Sequence, residues 1–370
     1  MKKLAALPIS LFAALALTAC GDDSSSGPDN TTPSSGIEQP GSSDALPGSS
    51  SDAIPDLPGS SADILTGSSS SATPVGPELT TSSESSTPSV VEFTTDAVTI
   101  PDMGCVTEPL TIGSGVKVTC NGDFAGNVRD DSDTSPFDPN AAAYTSFVGI
   151  QKVFAAIQPT DKAVFILRHA NRTKSEEGGL LTGLGYIQAS EVGKKLAGTE
   201  EVKYWHSEID RTLQTCMGIA QGRGQTTISH VALKDLNGGW FEKDAAKIAE
   251  YNASVATTYD VVSRWAYNDY LDPTVNYNDA FYDLDTRGAQ FMNEIILAKV
   301  APQSRISVVV SHDQMLYPLV IYATNRMLEM KHHEDKSWLN YLAGVAVIIH
   351  ADGSVKYVPV MGLDEGTMSS

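Results

Sequence analysis

Two short apolar runs, Ala163-Val-Phe-Ile-Leu167 and Ile306-Ser-Val-Val-Val310, constrain this chain more than any other feature. A sheet with one wet face shows a polar residue at every second position. These runs do not, so both read as strands covered on both faces, as in a parallel sheet with helices on either side. Helix candidates flank them. Ala141 to Ile157 precedes the first run, Thr182 caps a helix through Leu196 with Ala189, Val192 and Leu196 on one face, and Gln314 to Met327 follows the second run. Val202 to His206 and Ile228 to Ala232 are weaker strands, and Val345 to Ile349 with Val355 to Val360 make a closing hairpin around Asp352-Gly353. The expected class is α/β: a three-layer α/β/α sandwich with a mostly parallel central sheet over residues 141–370.

The first 90 residues read differently. Lys2-Lys3 and the apolar run Leu4 to Leu17 have the form of a secretory signal, too short to span a bilayer. The run ends in Leu17-Thr18-Ala19-Cys20-Gly21, which resembles the bacterial lipobox. That resemblance implies that residues 1–19 are a signal peptide, that Cys20 is acylated, and that a membrane is a partner through this lipid, in the cell envelope at the outer membrane or surface. Residues 20–90 follow with a loose repeat, Pro40-Gly41-Ser42-Ser43-Asp44-Ala45 and two variants of it. Such a composition buries too little apolar surface to offset its ordering entropy, so a disordered linker is expected. Its reach by flexible-chain scaling is roughly 50 Å.

Charge argues against a polyanionic partner. Of the net −20, Lys2 and Lys3 contribute two positive charges and residues 20–90 ten acids with no Lys or Arg, leaving −12 for the remainder. Duplex nucleic acid, whose binding rests on Lys and Arg neutralising phosphates, is excluded as the expected partner.

Between linker and sandwich, residues 91–140 read as a small β segment. Thr107 to Ile112, a turn at Gly113-Ser114-Gly115, and Val116 to Cys120 form a hairpin flanked by Cys105 and Cys120. In an exported protein these two cysteines are expected to pair, stabilising the segment by about 3 kcal/mol in the chain-entropy treatment. Cys216, in a helical stretch, reads as a buried small residue.

Each of the two best strands runs into a histidine: Leu167-Arg168-His169 and Val310-Ser311-His312-Asp313. Ligands in open α/β sheets bind beyond the carboxyl ends of the strands, so both histidines are expected in one cleft. In chain order, Arg168-His169-Ala170-Asn171-Arg172, Leu181-Thr182-Gly183-Leu184-Gly185, Ser207 to Thr215 with Arg211 and Thr212, and Ser311-His312-Asp313 resemble the signatures of the histidine phosphatase (phosphoglycerate mutase-like, histidine acid phosphatase) superfamily. The usual opening of that family is Arg-His-Gly, from which Ala170 departs. The resemblance implies an α/β fold, a small phosphomonoester substrate, a phosphohistidine intermediate, and no metal or other cofactor.

Elementary chemistry assigns parts to these side chains. A phosphomonoester dianion repels anionic nucleophiles, so a neutral imidazole of fixed tautomer is a suitable attacker, and that is His169. Charge on the equatorial oxygens calls for donors fixed in advance: Arg168, Arg211 and a protonated His312, with Arg172 as a further clamp. The leaving alkoxide needs a proton. Asp313, adjacent to His312 as in the acid phosphatase and phytase branch, is the favoured donor; Asp235, in Leu233-Lys-Asp235-Leu-Asn-Gly-Gly239-Trp-Phe-Glu242, is the alternative, placed as in the mutase-like branch. Lys331-His332-His333-Glu334-Asp335 reads as a charged turn, and Trp240, Trp265 and Trp338 as core or pocket wall. The expected activity is an exported, lipid-anchored phosphomonoesterase, with a phosphomutase or a non-catalytic surface binding module on the same fold as the alternatives.

Overall fold

The computed structural model describes residues 91–369 except 134, 175–177, 255–256 and 271–275. The signal peptide, the Cys20 anchor and the linker expected over residues 1–90 lie outside the described residues.

Strand β1 (Thr94–Ala97) is followed by β2 (Cys105–Pro109), β3 (Gly115–Cys120) and β4 (Asp123–Arg129), then β5 (Val148–Gly149) and helix α1 (Ile150–Ala156). The sandwich proper runs β6 (Lys162–Arg168), α2 (Gly183–Lys195), β7 (Val202–His206), α3 (Asp210–Gly222) and β8 (Thr227–Ala232). Helices α4 (Ala245–Ser254), α5 (Thr258–Tyr267) and α6 (Leu284–Gln290) come next, the last continuing as a wide-turned π segment, Phe291–Val300. The chain closes with β9 (Ile306–Ser311), α7 (Asp313–Ala323), α8 (His332–Asp335), β10 (Ser337–Leu339), β11 (Ala343–Ile349), β12 (Val355–Met361) and β13 (Thr367–Ser369).

Eight strands form one sheet in the order β1-β8-β7-β9-β6-β11-β12-β5. Its centre, β8-β7-β9-β6, is parallel throughout; β1 and β11 add antiparallel. The two apolar runs lie side by side here, Ala163 opposite Ile306 and Leu167 opposite Val310. Side chains of a strand alternate between faces. Val164 and Ile166 therefore enter a core with Val261, Trp265, Ile296 and Leu316 from α5, the π segment and α7. Ala163, Phe165 and Leu167 enter a second core with Val153, Ala189 and Ile219 from α1, α2 and α3. Two covered faces explain the missing polar alternation, and the expected three-layer α/β sandwich is what the chain forms.

Three boundaries differ from expectation. The helix expected from Ala141 begins only at Ile150, because the Lys356 ammonium takes the carbonyls of Pro139 and Ala141 and β5 pairs with the end of β12. The helix expected to reach Met327 ends at Ala323, since Asn325 and Arg326 adopt left-handed φ of 49° and 59°. The hairpin carries a third strand, β4, and β1 joins the main sheet by pairing with β8.

Cys105 and Cys120 are opposite each other in the β2–β3 ladder and are joined by a disulfide. Its sulfurs rest on the start of α2, where a Cβ on Gly183 would lie 2.2 Å from the Cys105 Sγ. Thr182 caps this helix by accepting from the Gly185 amide, as expected from the sequence, an arrangement worth about 1 kcal/mol. Gly185 lets the helix touch the loop after β6: a Cβ there would stand 2.0 Å from the Asn171 carbonyl oxygen. Gly185→Ala is therefore expected to destabilise the protein by about 1–3 kcal/mol and to lower turnover by disturbing residues 169–172, measurable by thermal unfolding and initial rates. An unchanged melting temperature would contradict this reading of the contact.

Candidate active site

The parallel register aligns Arg168 with Ser311, so the residues that follow, His169 and His312, leave the sheet side by side. Their ring centroids are 5.5 Å apart and both are almost fully buried. The β7 strand ends one step further along the sheet, with His206 opposite Val310, and delivers Ser207 and the first turn of α3, which carries Arg211. Among the expected site residues, Arg168, His169, Arg211, His312 and Asp313 thus form one contiguous group.

Hydrogen bonds fix the state of each histidine. His169 Nδ1 lies 2.8 Å from the Ala170 carbonyl oxygen, so it must carry the proton, and Nε2 is left with its lone pair. Burial first, then Arg168, His312 and Arg211, hold His169 well below the ordinary imidazole value. Ala170, the departure from the family's usual glycine, is buried with its amide donating to Thr215 Oγ1 at 3.1 Å. Its methyl group sits in the core among α2 and α3, which is why the substitution is accommodated.

His312 has the opposite tautomer. Arg211 Nη2 donates to its Nδ1 at 3.1 Å, and its Nε2 therefore donates to Ser207 Oγ at 2.8 Å. Ser207 Oγ also accepts from the Ile209 amide and passes its own proton to Thr212 Oγ1, 3.0 Å away. Burial, Arg211 and Arg168 push His312 down to about 3. In the free protein His312 is therefore neutral, where the sequence suggests a protonated ring: with a guanidinium already facing Nδ1, a second proton would set two cations against each other.

Asp313 stands at the head of α7, its carboxylate 3.1 Å from Arg168 Nη2, with the Trp338 indole donating at 3.0 Å and the Gln314 amide at 3.0 Å. Burial acts to raise it, but Arg168 and these donors prevail and hold the carboxyl at about 2. Arg168 also donates to the Leu339 carbonyl and lies over the Tyr341 ring, 4.3 Å from its centroid. Arg172 donates to the Thr173 carbonyl and is near enough to lower His312.

Asp235 does not join this group. It lies in a short turn, Lys234–Leu236, whose Leu236 carbonyl accepts from Ser311 Oγ at 2.7 Å, but its carboxylate pairs with Lys299 at 3.1 Å. Of the residues set aside, Trp265 and Trp338 are fully buried core, and Trp240 packs under the Arg287 guanidinium. His332 pairs with Asp260 and His333 with Asp269. Asp269, His333 and Glu334 lie close together, yet Arg264 and Lys331 neutralise their carboxylates.

Sequence reasoning quotes Ser207 and Thr215 without a chemical part, leaves Trp338 as core or pocket wall, and misses Tyr341. The first two lie inside the Ser207-to-Thr215 motif, and spacing on α3 could have suggested that Arg211 and Thr215, one turn apart, share a face. The last two come from the chain around β10, and no local signal marks them.

A profile of the histidine phosphatase superfamily (branch 1) matches residues 164–354. No curated protein sequence matches. Solved structures that resemble the chain include a phosphoglycerate mutase from Bacillus anthracis, 15% identical over 55% of this chain and 94% of that one, with a TM-score of 0.39. A mycobacterial glucosyl-3-phosphoglycerate phosphatase is 15% identical over 55% and 99% of the respective chains (TM-score 0.35). A phosphoserine phosphatase variant from Entamoeba histolytica, bound to phosphoserine, is 15% identical over 53% and 94% (TM-score 0.33).

Proposed function

Because this chain belongs to the histidine phosphatase superfamily, branch 1, we propose that it hydrolyses small phosphomonoesters through a phosphohistidine on His169. The observation that carries the reading is the fixed tautomer of His169, whose Nε2 lone pair is turned away from the Ala170 carbonyl, beside the buried Arg168 guanidinium and the partly buried Arg211. In the reaction Nε2 attacks phosphorus, the P–O bond to the alcohol breaks, and water then cleaves the N–P bond to regenerate neutral His169 and release phosphate. Arg211 and Arg168 hold the equatorial oxygens, with Arg172 as an outer clamp. His312 is neutral in the free protein, but a phosphate oxygen that replaces the guanidinium at Nδ1 can only accept, so His312 takes up a proton there as the dianion binds and donates to it.

Asp313 is the proposed proton donor. At about 2 its carboxyl is ionised, but a phosphate dianion competes for Arg168 and repels the carboxylate, and both effects raise the affinity of Asp313 for a proton. Substrate binding is thus coupled to proton uptake. His169 must be unprotonated to attack, and its depressed pKa moves the acid limb below the ordinary value of 6.5, while loss of the Asp313 proton gives an alkaline limb. The expected kcat profile, which reports the substrate-bound groups, is bell-shaped, with activity retained as pH falls from 7 to 5. A sharp loss between pH 7 and 6 would contradict the assignment of His169.

The reading extends to export and lipid attachment at Cys20, supported by Leu17-Thr18-Ala19-Cys20. Mass spectrometry of the mature protein is expected to find a lipid-modified Cys20 at the N-terminus, and Cys20→Ser to release the protein from membranes; an unmodified N-terminus elsewhere would refute this. The activity is tested by phosphate release from sugar phosphates, phosphorylated amino acids, nucleotides and phytate. Turnover insensitive to a chelator is expected, because nucleophile, clamp and acid are all side chains. Phosphate transfer between substrate positions without release would make the protein a phosphomutase.

A further inference from the structure

One buried polar chain is not used by this mechanism, although it abuts the site. His206, at the end of β7, has Nδ1 2.7 Å from the Ser207 carbonyl oxygen and Nε2 3.1 Å from His230 Nδ1. His230, on β8, has its own Nε2 3.0 Å from the Asp96 carboxylate on the edge strand β1. Both imidazoles are buried, while Asp96 is half-exposed.

A count of protons decides the state of this chain. A carbonyl oxygen and a carboxylate can only accept, so His206 Nδ1 and His230 Nε2 must both carry hydrogen. The contact between the rings needs a third. Two neutral imidazoles hold two ring protons between them, and these three hydrogen bonds require three. The pair is therefore fully bonded only when it carries one positive charge, which the Asp96 carboxylate balances. The Asp96 carboxylate bonds the His230 ring directly, so that ring is the one whose charge it balances.

We propose that Asp96, His230 and His206 form a proton-holding brace that fixes Ser207, and through it the orientation of His312, so that the site is well ordered only while the pair keeps its extra proton. The brace rests on the phosphatase reading for its consequence, though not for its protonation. Its geometry runs from the sheet edge to the phosphate pocket: Asp96 to His230, His230 to His206, His206 to the Ser207 carbonyl, and Ser207 Oγ to His312 Nε2. His206, His230 and Asp96 are positioning residues and touch no reacting atom.

The elements packed against the pair supply no competing charge. On α3, Arg211 is turned to His312, Arg223 to the carbonyls of Gly198 and Glu200, and the Cys216 thiol, pushed up by burial, to the Trp205 carbonyl. Asp210 begins that helix, and Glu208 precedes it with its carboxylate on Asn237. On β7, Lys203 is bonded to Ser229 and Glu201, and Tyr204, raised by burial, to Gln225. Beyond β9 lies His312, neutral as described above.

Asp96→Asn separates the proton from the hydrogen bonds. An asparagine amide can donate to Nε2 of a neutral His230, leaving Nδ1–H for His206, so all three bonds persist with no extra proton. In the full chain labelled with ¹⁵N-histidine at pH 6, wild type is expected to show both ring nitrogens of His230 protonated and one of His206, and Asp96→Asn one on each. With p-nitrophenyl phosphate, wild-type kcat is expected to fall about three- to tenfold, with KM unchanged, as alkali removes the proton, and Asp96→Asn to lack this step. His230→Ala should show the lowered kcat at every pH. A wild-type His230 with a single ring proton at pH 6 would overturn the brace, as would identical pH profiles in wild type and Asp96→Asn. Absence of phosphate release from wild type would instead count against the phosphatase reading, since the ring-nitrogen count does not depend on turnover.

Discussion

His169→Ala is expected to lower kcat on phosphomonoesters by about 10⁴-fold or more while leaving the protein folded and able to bind phosphate. The side chain is the only proposed nucleophile, and among the described residues its ring makes one hydrogen bond, to the neighbouring Ala170 carbonyl. Removing it leaves Arg168, Arg211 and His312 tied to Asp313, to one another and to Ser207, so the anion pocket is preserved. Initial rates, a far-UV circular dichroism spectrum and competitive binding of inorganic phosphate measure the three parts. A variant within tenfold of wild-type kcat would move the chemistry to another residue.

Asp313→Asn is expected to reduce kcat on alkyl phosphates by about 10²- to 10⁴-fold, and on p-nitrophenyl phosphate much less. An alkoxide needs a proton as it leaves, whereas p-nitrophenolate does not. The asparagine keeps the size of the side chain and one acceptor for the Trp338 indole, so a loss confined to alkyl substrates isolates proton donation from positioning. Asp235→Asn is expected to affect both substrates alike and weakly, because that carboxylate is committed to Lys299. A selective loss in Asp235→Asn would transfer the role of acid to the turn after β8.

Much of this site is legible in the sequence because each part is announced locally. The strands ending in His169 and His312 stand out as unbroken apolar runs, their burial on both faces requires a layered sheet, and the sheet brings their ends together. The disulfide and the cap on α2 follow from spacing and residue type in the same way. What is not legible depends on contacts between distant segments. Trp338 meets Asp313 only because β10 returns to the start of α7, and the Tyr341 ring reaches Arg168 across a gap of more than 170 residues. The neutral state of His312 in the free protein is hidden for a related reason: composition gives the cations of the pocket, but only geometry shows that Arg211 occupies the Nδ1 that a second proton would need. Helices α4 to α6, which wall one face, have mixed polar and apolar turns whose period declares itself only against the core they cover.

The central claim is a covalent phosphoryl group on His169. The most direct measurement is to quench the full-length wild-type protein during turnover of a phosphomonoester, digest it at alkaline pH, where phosphohistidine survives, and locate the phosphate by mass spectrometry. The account predicts an acid-labile phosphoryl group on the peptide that carries His169, at Nε2, and none there in His169→Ala. Phosphate found on another residue, or steady turnover with no phosphoenzyme under conditions that trap one, would contradict it.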